Sequence, residues 1–160
     1  MSTPLFLDMF SSVTAVIRHP IDVVWPHVLD QAAYMKDFHI ETIDGTRNRE
    51  GELKKVTPLQ PGFRDFFFKT LLLIPFRKFV YKAYTEDRSG KYGFTGIEVL
   101  SLSDFGRDST VTFEAYLEVQ SWTMTREELS AFVSTGREGS LAIWEGNFAR
   151  LASLIGSLRG

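Results

Sequence analysis

The sequence predicts a single α+β domain over residues 1–160, in which a curved antiparallel sheet wraps around a long C-terminal helix and two short helices follow the first strand. Three observations favour this class. Apolar and polar side chains alternate over residues 109–120, as in a strand with one buried face. Residues 125–158 carry apolar side chains at steps of three and four, as in an amphipathic helix. Between residues 11 and 120, short apolar segments alternate with turn-forming residues, without an internal repeat or a linker.

The N-terminal part of the chain predicts one strand followed by two short helices. Apolar residues alternate with polar ones over residues 11–18, which favours a half-buried strand. Pro20 can occupy the first position of a helix, and apolar residues follow it at helical spacing as far as Val28. Pro26 should kink or shorten this helix, and Asp30 can cap a second one.

The middle of the chain predicts antiparallel strands. We expect them at residues 38–46, 52–59, 77–87 and 91–104, each bounded by turn-forming residues. Arg88, Ser89 and Gly90 indicate a tight hairpin between the last two strands, and residues 105–108 turn the chain into the strand at 109–120.

The most apolar run of the chain, residues 63–76, has no single interpretation. Its length predicts a helix of about ten residues that ends near Pro75, where proline interrupts helical hydrogen bonding. The run could be core, a lid over a cavity, or a membrane contact. Basic residues such as Lys69 and Lys78 beside bulky apolar ones suit an interface with anionic lipid.

The C-terminal helix contains a stretch of small residues. Its start carries a capping box, with Thr125 followed by Glu128. Farther along, Gly136 and Ser140 lie between the bulky side chains of Phe132 and Trp144. If the helix is continuous, it should leave a hollow above the sheet at these positions. The alternative is a break near residues 135–139, because glycine weakens a helix.

Composition and charge exclude several classes of function. The net charge is −2, so the chain lacks the basic excess of a nucleic-acid-binding domain. Without cysteine there is no thiolate metal site or cysteine nucleophile, and His19, His27 and His39 lack metal-binding spacing. We therefore expect no metal and no cofactor. The N-terminus lacks a signal-peptide pattern, and the run at 63–76 is too short to span a bilayer, which predicts a cytoplasmic protein.

Aromatic residues make up 14% of the chain, which suits either a phenylalanine-rich core or a cavity for a hydrophobic small molecule. The cavity hypothesis selects aromatic residues of the predicted sheet, together with aromatic and small residues of the C-terminal helix. The predicted ligand-binding residues are Phe79, Tyr81, Phe94, Phe113, Phe132, Gly136, Ser140 and Trp144.

Glu98 is a weak candidate for a catalytic residue. If Phe94 and Leu100 face the core, Glu98 does too, because side chains alternate along a strand. If Ile97 and Val99 face the core instead, Glu98 is solvated. A buried carboxyl has a raised pKa and can act as a general acid or base. The sequence alone does not decide whether the protein is an enzyme.

Several segments resemble those of a known superfamily. They are Val13–Ile17, then Pro20–Trp25 and Val28–Asp30, and finally the apolar stripe around Trp144. In these segments and in the order of its elements, the chain resembles the helix-grip fold of the START/Bet v 1-like (SRPBCC) superfamily, with its polyketide cyclase/dehydrase and lipid-transport members. The resemblance implies a deep apolar cavity between the sheet and the C-terminal helix.

Three functions follow from the resemblance and the residues together. The first is binding of a hydrophobic ligand, whether a lipid, a sterol, a polyketide or an aromatic compound. The second is a polyketide cyclase or dehydratase activity that uses the buried acid. The third is membrane association or protein interaction through residues 63–76. A fold alone does not select among them, and the oligomeric state stays open.

Overall fold

The computed structural model describes residues 3–86 and 91–157, and these form seven strands and three helices. In chain order the elements are β1 (Leu5–Ile17), α1 (Ile21–Leu29), α2 (Gln31–Tyr34), β2 (Phe38–Asp44), β3 (Leu53–Pro58), β4 (Phe66–Ile74), β5 (Lys78–Tyr84), β6 (Gly93–Phe105), β7 (Asp108–Ser121) and α3 (Arg126–Ser157). The predicted α+β class, with two short helices after the first strand and a long C-terminal helix, is confirmed. The hairpin predicted at residues 88–90 lies outside the described residues.

The strands form one antiparallel sheet in the order β1-β7-β6-β5-β4-β3-β2. β1 pairs with β7 from Leu5 opposite Ser121 to Ile17 opposite Ser109. It begins six residues before the predicted strand, because β7 supplies a partner along its whole length. Since β1 and β2 lie at opposite edges of the sheet, α1 and α2 carry the chain from one edge to the other.

The helix predicted within residues 63–76 is wrong, because this segment contains strand β4. Phe68 and Thr70 are buried, whereas Lys69 between them is exposed, which is the period of a strand. β4 pairs with β3 on one side and with β5 on the other. The hydrogen bonds available from two neighbouring strands therefore outweigh the apolar run's local compatibility with a helix. A register shift between Thr70 and Leu72 also bends the strand.

The two short helices follow the prediction with one difference. α1 includes Pro26 and ends three residues later at Leu29. Asp30 occupies the N-cap position of α2, but its side chain makes no capping hydrogen bond. That carboxylate instead forms an ion pair with Arg47 at 2.7 Å.

Helix α3 is continuous through residues 135–139, so the alternative of a break there is wrong. Its capping box is confirmed. The amide of Glu128 donates to the Thr125 hydroxyl at 3.2 Å, and the amide of Thr125 donates to the Glu128 carboxylate at 2.8 Å. None of the helices in the described part of the chain is long and apolar enough to cross a membrane.

Candidate functional site

A line of buried polar side chains crosses the face of the sheet that α3 covers, which we call the inner face. Strand register places five residues side by side on β4, β5, β6, β7 and β1: Thr70, Tyr81, Glu98, Ala115 and Ser11. We call them the polar row, since four of the five are polar. Each is at most 8% exposed. The adjacent row consists of the apolar residues Phe79, Leu100, Phe113 and Val13.

Glu98 lies in the middle of the polar row and faces inward. Leu100 is buried on the same side, which selects the first of the two registers considered from the sequence. Burial raises the pKa of the Glu98 carboxyl to about 7, and an interaction with the Tyr81 hydroxyl lowers it in part. Near neutral pH this side chain can therefore hold or release a proton.

The Ser11 hydroxyl has no hydrogen-bond partner among the described residues, whereas the Tyr81 hydroxyl has Glu98 and Gln31 as its polar neighbours. Tyr81 is wholly buried and lies opposite Glu98 in the strand pair. Burial, and next the neighbouring Glu98 carboxylate, hold the pKa of Tyr81 well above its ordinary value. An unsatisfied buried donor costs about 1–3 kcal/mol, so packing alone does not explain the buried Ser11 hydroxyl.

A second polar group lies at the β2–β3 side of the inner face. Lys54 is 5% exposed, and its Nζ donates to Gln31 Oε1 at 3.0 Å. Its Nζ also lies 3.7 Å from Glu52 Oε1. The Glu52 carboxylate is itself held by the Thr42 hydroxyl at 2.5 Å and by the Asn48 amide at 2.9 Å. Burial lowers the pKa of Lys54, although Glu52 opposes this effect.

Helix α3 packs closely along only one of its halves. In residues 144–157, which we call the packed half, the buried side chains are Trp144, Asn147, Phe148, Leu151 and Ile155. In residues 126–143, the open half, Leu129 alone is buried, and all six residues of the stretch 134–139 are exposed. Six consecutive residues complete more than one helical turn, so every face of α3 is exposed in that stretch.

Half-buried aromatic rings lie on the sheet at the end where α3 is open. The ring of Phe66 lies 5.7 Å from that of Phe38 and 5.4 Å from that of Phe94. The ring of Phe132, in the open half, lies 4.6 Å from that of Tyr92. All five side chains are half-buried. This end of the inner face therefore offers apolar surface that α3 leaves partly uncovered.

Comparison with solved structures relates this architecture to known proteins. An uncharacterized protein from Rhizobium leguminosarum superposes with a TM-score of 0.68 at 8% identity, over 98% of this chain and 99% of its own. Truncated norcoclaurine synthase from Thalictrum flavum gives 0.66 at 12% identity, over 94% of each chain. Ara h 8.0201, a Bet v 1 allergen, gives 0.57 at 12% identity, over 94% of this chain and 99% of its own. This chain has the Bet v 1-type helix-grip fold.

No family model matches the sequence, and no curated protein matches it either. The structural comparison therefore establishes the Bet v 1-type fold. Sequence identities of 8% and 12% show a shared fold and no shared function.

The Bet v 1-type fold distributes the eight predicted ligand-binding residues over two environments. Phe79, Tyr81, Phe113 and Trp144 are buried, and the rings of Phe113 and Trp144 stack with their centroids 4.0 Å apart. Phe94, Phe132 and Ser140 are half-buried, and Gly136 is exposed. The second set is the less buried one, and the first belongs to the hydrophobic core.

Sequence reasoning missed the polar residues Ser11, Gln31, Glu52 and Lys54 as part of the interior. The signal for Lys54 was present, since alternation along β3 places it on the same face as the buried Val56. For Gln31, in a four-residue helix, no periodicity was available. No group of three or more metal-ligating side chains is found within residues 3–86 and 91–157.

Proposed function

We propose that this protein binds a hydrophobic small molecule between the open half of α3 and the inner face of the sheet. One observation carries the proposal. The helix is exposed on every face over residues 134–139, while the aromatic rings at this end of the sheet stay half-buried. A ligand that lay on those rings would bury the apolar surface that α3 leaves exposed. Suitable ligands are a lipid, a sterol, a polyketide or an aromatic compound.

Apolar burial would drive the binding, and the polar row would orient the ligand. Each square ångström of apolar surface removed from water contributes about 25 cal/mol before the costs of association. Glu98 is the most exposed polar side chain of the row, at 8%. We therefore place a polar group of the ligand near Glu98 and its apolar body near Phe94 and Phe132.

Two helical glycines provide a matched test of this proposal. A side chain added at Gly136 would point toward β1, where its Cβ would lie 3.8 Å from Met9 Sδ. A side chain added at Gly139 would meet nothing within 4 Å. We expect Gly136→Leu to weaken binding by about ten-fold, equivalent to about 1.4 kcal/mol. Gly139→Leu should bind as the native chain does.

Binding is measured by fluorescence titration with a panel of fatty acids, sterols and aromatic polyketides. Native mass spectrometry of the purified protein adds a search for a co-purified small molecule. Failure of every probe to bind, with no co-purified molecule, would contradict the proposal. Equal loss of affinity in the two leucine variants would place the ligand elsewhere.

A second candidate function is acid–base catalysis by Glu98, which its inward position and a pKa of about 7 favour. Norcoclaurine synthase, whose structure is similar, has been solved in complex with a transition-state analogue, so the fold can carry catalysis. We expect turnover of a polyketide precursor to depend on pH near 7 and to fall in Glu98→Gln. Unchanged turnover in that variant would exclude the role.

Contact with an anionic membrane through residues 63–76 is a third proposal. Leu71, Leu72, Ile74 and Phe76 are each 42–45% exposed, and Lys78 follows them. Leu72→Asp should reduce co-sedimentation with vesicles that contain phosphatidylserine. Phe6 lies on β1 and is 47% exposed, so Phe6→Asp is the control and should leave co-sedimentation unchanged. Equal behaviour of the two variants would rule out this segment as the contact.

A further inference from the structure

A separate pocket lies between α2 and the β2–β3 hairpin. Its volume is about 160 Å³. Residues that line it include Asp30, Gln31, Ala32, Arg47, Glu52 and Lys54. The pocket is accessible from outside because Ala32 is exposed and the Arg47 side chain is 66% exposed. Its lining shares no residue with the open half of α3.

Lys54 is the unusual group in this pocket. An ammonium carries three N–H donors, and the amide oxygen of Gln31 accepts one of them at 3.0 Å. The nearest oxygen of Glu52 lies at 3.7 Å, which is longer than a hydrogen bond. Both oxygens of Glu52 already accept hydrogen bonds, from Thr42 and Asn48. The centroid of the Phe79 ring lies 5.3 Å from Nζ, so among the described residues one hydrogen-bond acceptor and one aromatic face only partly compensate the buried ammonium.

The charges around Lys54 do not reverse this conclusion. Burial lowers the pKa of the Lys54 amine and is the largest effect. Glu52 and Asp30 raise that pKa, and Arg47 lowers it. An amine with a lowered pKa has more of its neutral form, and a neutral lysine is the nucleophile that attacks carbonyl compounds.

We propose that Lys54 is a reactive amine that condenses with a small aldehyde or ketone entering this pocket. The nitrogen lone pair attacks the carbonyl carbon, a C–N bond forms, and the carbonyl oxygen becomes a hydroxyl group. The hydroxyl then leaves as water while the C=N bond forms, so one carbonyl compound and one amine give one imine and one water. Exchange with solvent through the open pocket removes the proton from nitrogen and supplies one to the departing oxygen.

Reductive trapping tests this proposal on the full chain. The protein is incubated at pH 7 with propanal, which suits the small pocket, and with sodium cyanoborohydride, and modified lysines are mapped by peptide mass spectrometry. Lys55 is the matched control, because it is the next residue of the same strand and is 39% exposed. We expect Lys54 to be modified several-fold faster than Lys55, because burial lowers the pKa of the Lys54 amine and leaves more of it in the neutral form.

Two variants separate a reactive Lys54 from general lysine labelling. Lys54→Arg keeps the positive charge and should remove the pocket adduct. Ala32→Trp places a bulky side chain at the exposed mouth, leaves Lys54 intact, and should slow its modification without changing that of Lys55. The proposal is overturned if Lys54 reacts no faster than Lys55, or if Ala32→Trp leaves the rate at Lys54 unchanged.

Discussion

The packed and open halves of α3 lie over the same sheet, yet they bury very different shares of their side chains. In the packed half, Trp144 stacks on Phe113 and its ring also contacts those of Tyr34 and Phe148. In the open half, the stretch 134–139 is exposed on all sides. The contrast follows from side-chain character, since the packed half presents large apolar groups to the core and the stretch 134–139 contains only polar, charged and glycine residues.

The two short helices account for the rest of the difference. Helix α2 contacts the packed half directly, because the Arg150 guanidinium donates to the Tyr34 carbonyl at 2.8 Å and to Asp37 at 2.9 Å. The Tyr34 hydroxyl in turn donates to the Val28 carbonyl of α1 at 2.6 Å. One end of the inner face is thus filled by α1 and α2. The open half instead lies along β1, where Gly136 faces Met9.

The largest expected effect distinguishes one aromatic residue in each half. Trp144 is 3% exposed, so Trp144→Ala should reduce the free energy of unfolding by about 3–5 kcal/mol through lost burial and the cavity left behind. Phe132 is half-buried, and Phe132→Ala should cost about 1 kcal/mol. Urea denaturation monitored by circular dichroism measures both. Equal costs would mean that the two halves are packed alike.

The polar row can be probed by pH. Burial raises the pKa of Glu98 from 4.5 to about 7, so the folded state holds this proton more tightly than the unfolded chain. The resulting stabilisation is complete below about pH 4.5 and is lost as the pH rises to about 7. At ~1.4 kcal/mol per pKa unit the loss is about 3 kcal/mol.

Glu98→Gln should remove this pH dependence. Between pH 4.5 and 7.5 the variant's free energy of unfolding should fall by about 3 kcal/mol less than that of the native chain. Glu118→Gln, on the exposed side of β7, serves as the control and should follow the native profile. Parallel profiles for the native chain and Glu98→Gln would show that the carboxyl is solvated in solution.

Much of this contrast could be predicted from the sequence, because it depends on local patterns. The capping box predicted where α3 begins, and the hollow expected beneath Gly136 and Ser140 stays a prediction. The helix predicted within residues 63–76 was wrong, because the composition of this apolar run suits either a helix or a strand. Pairing with β3 and β5 determines that it forms a strand. Long-range pairing of that kind leaves no local signal.

The polar interior was harder to predict for the same reason. The register of Glu98 depended on which face of β6 met the core, and the sequence allowed both. The buried ammonium of Lys54 on β3 donates a hydrogen bond to Gln31 on α2. The two residues are 23 positions apart in the sequence. A charged residue read alone is expected at the surface, so its burial becomes visible only once both elements are placed.

The smallest expected effect concerns the two glycines of the open half. If α3 is a continuous helix there, Gly136→Ala and Gly139→Ala should each raise the free energy of unfolding by about 1 kcal/mol, because alanine is the better helix former. An added Cβ meets Met9 at 3.8 Å in the first case, an ordinary contact, and no atom within 4 Å in the second. Thermal unfolding compares the two variants with the native chain. Unchanged stability in both would mean that the stretch is unwound in solution, and the opening beneath α3 would then come from a broken helix instead of from small residues on an intact one.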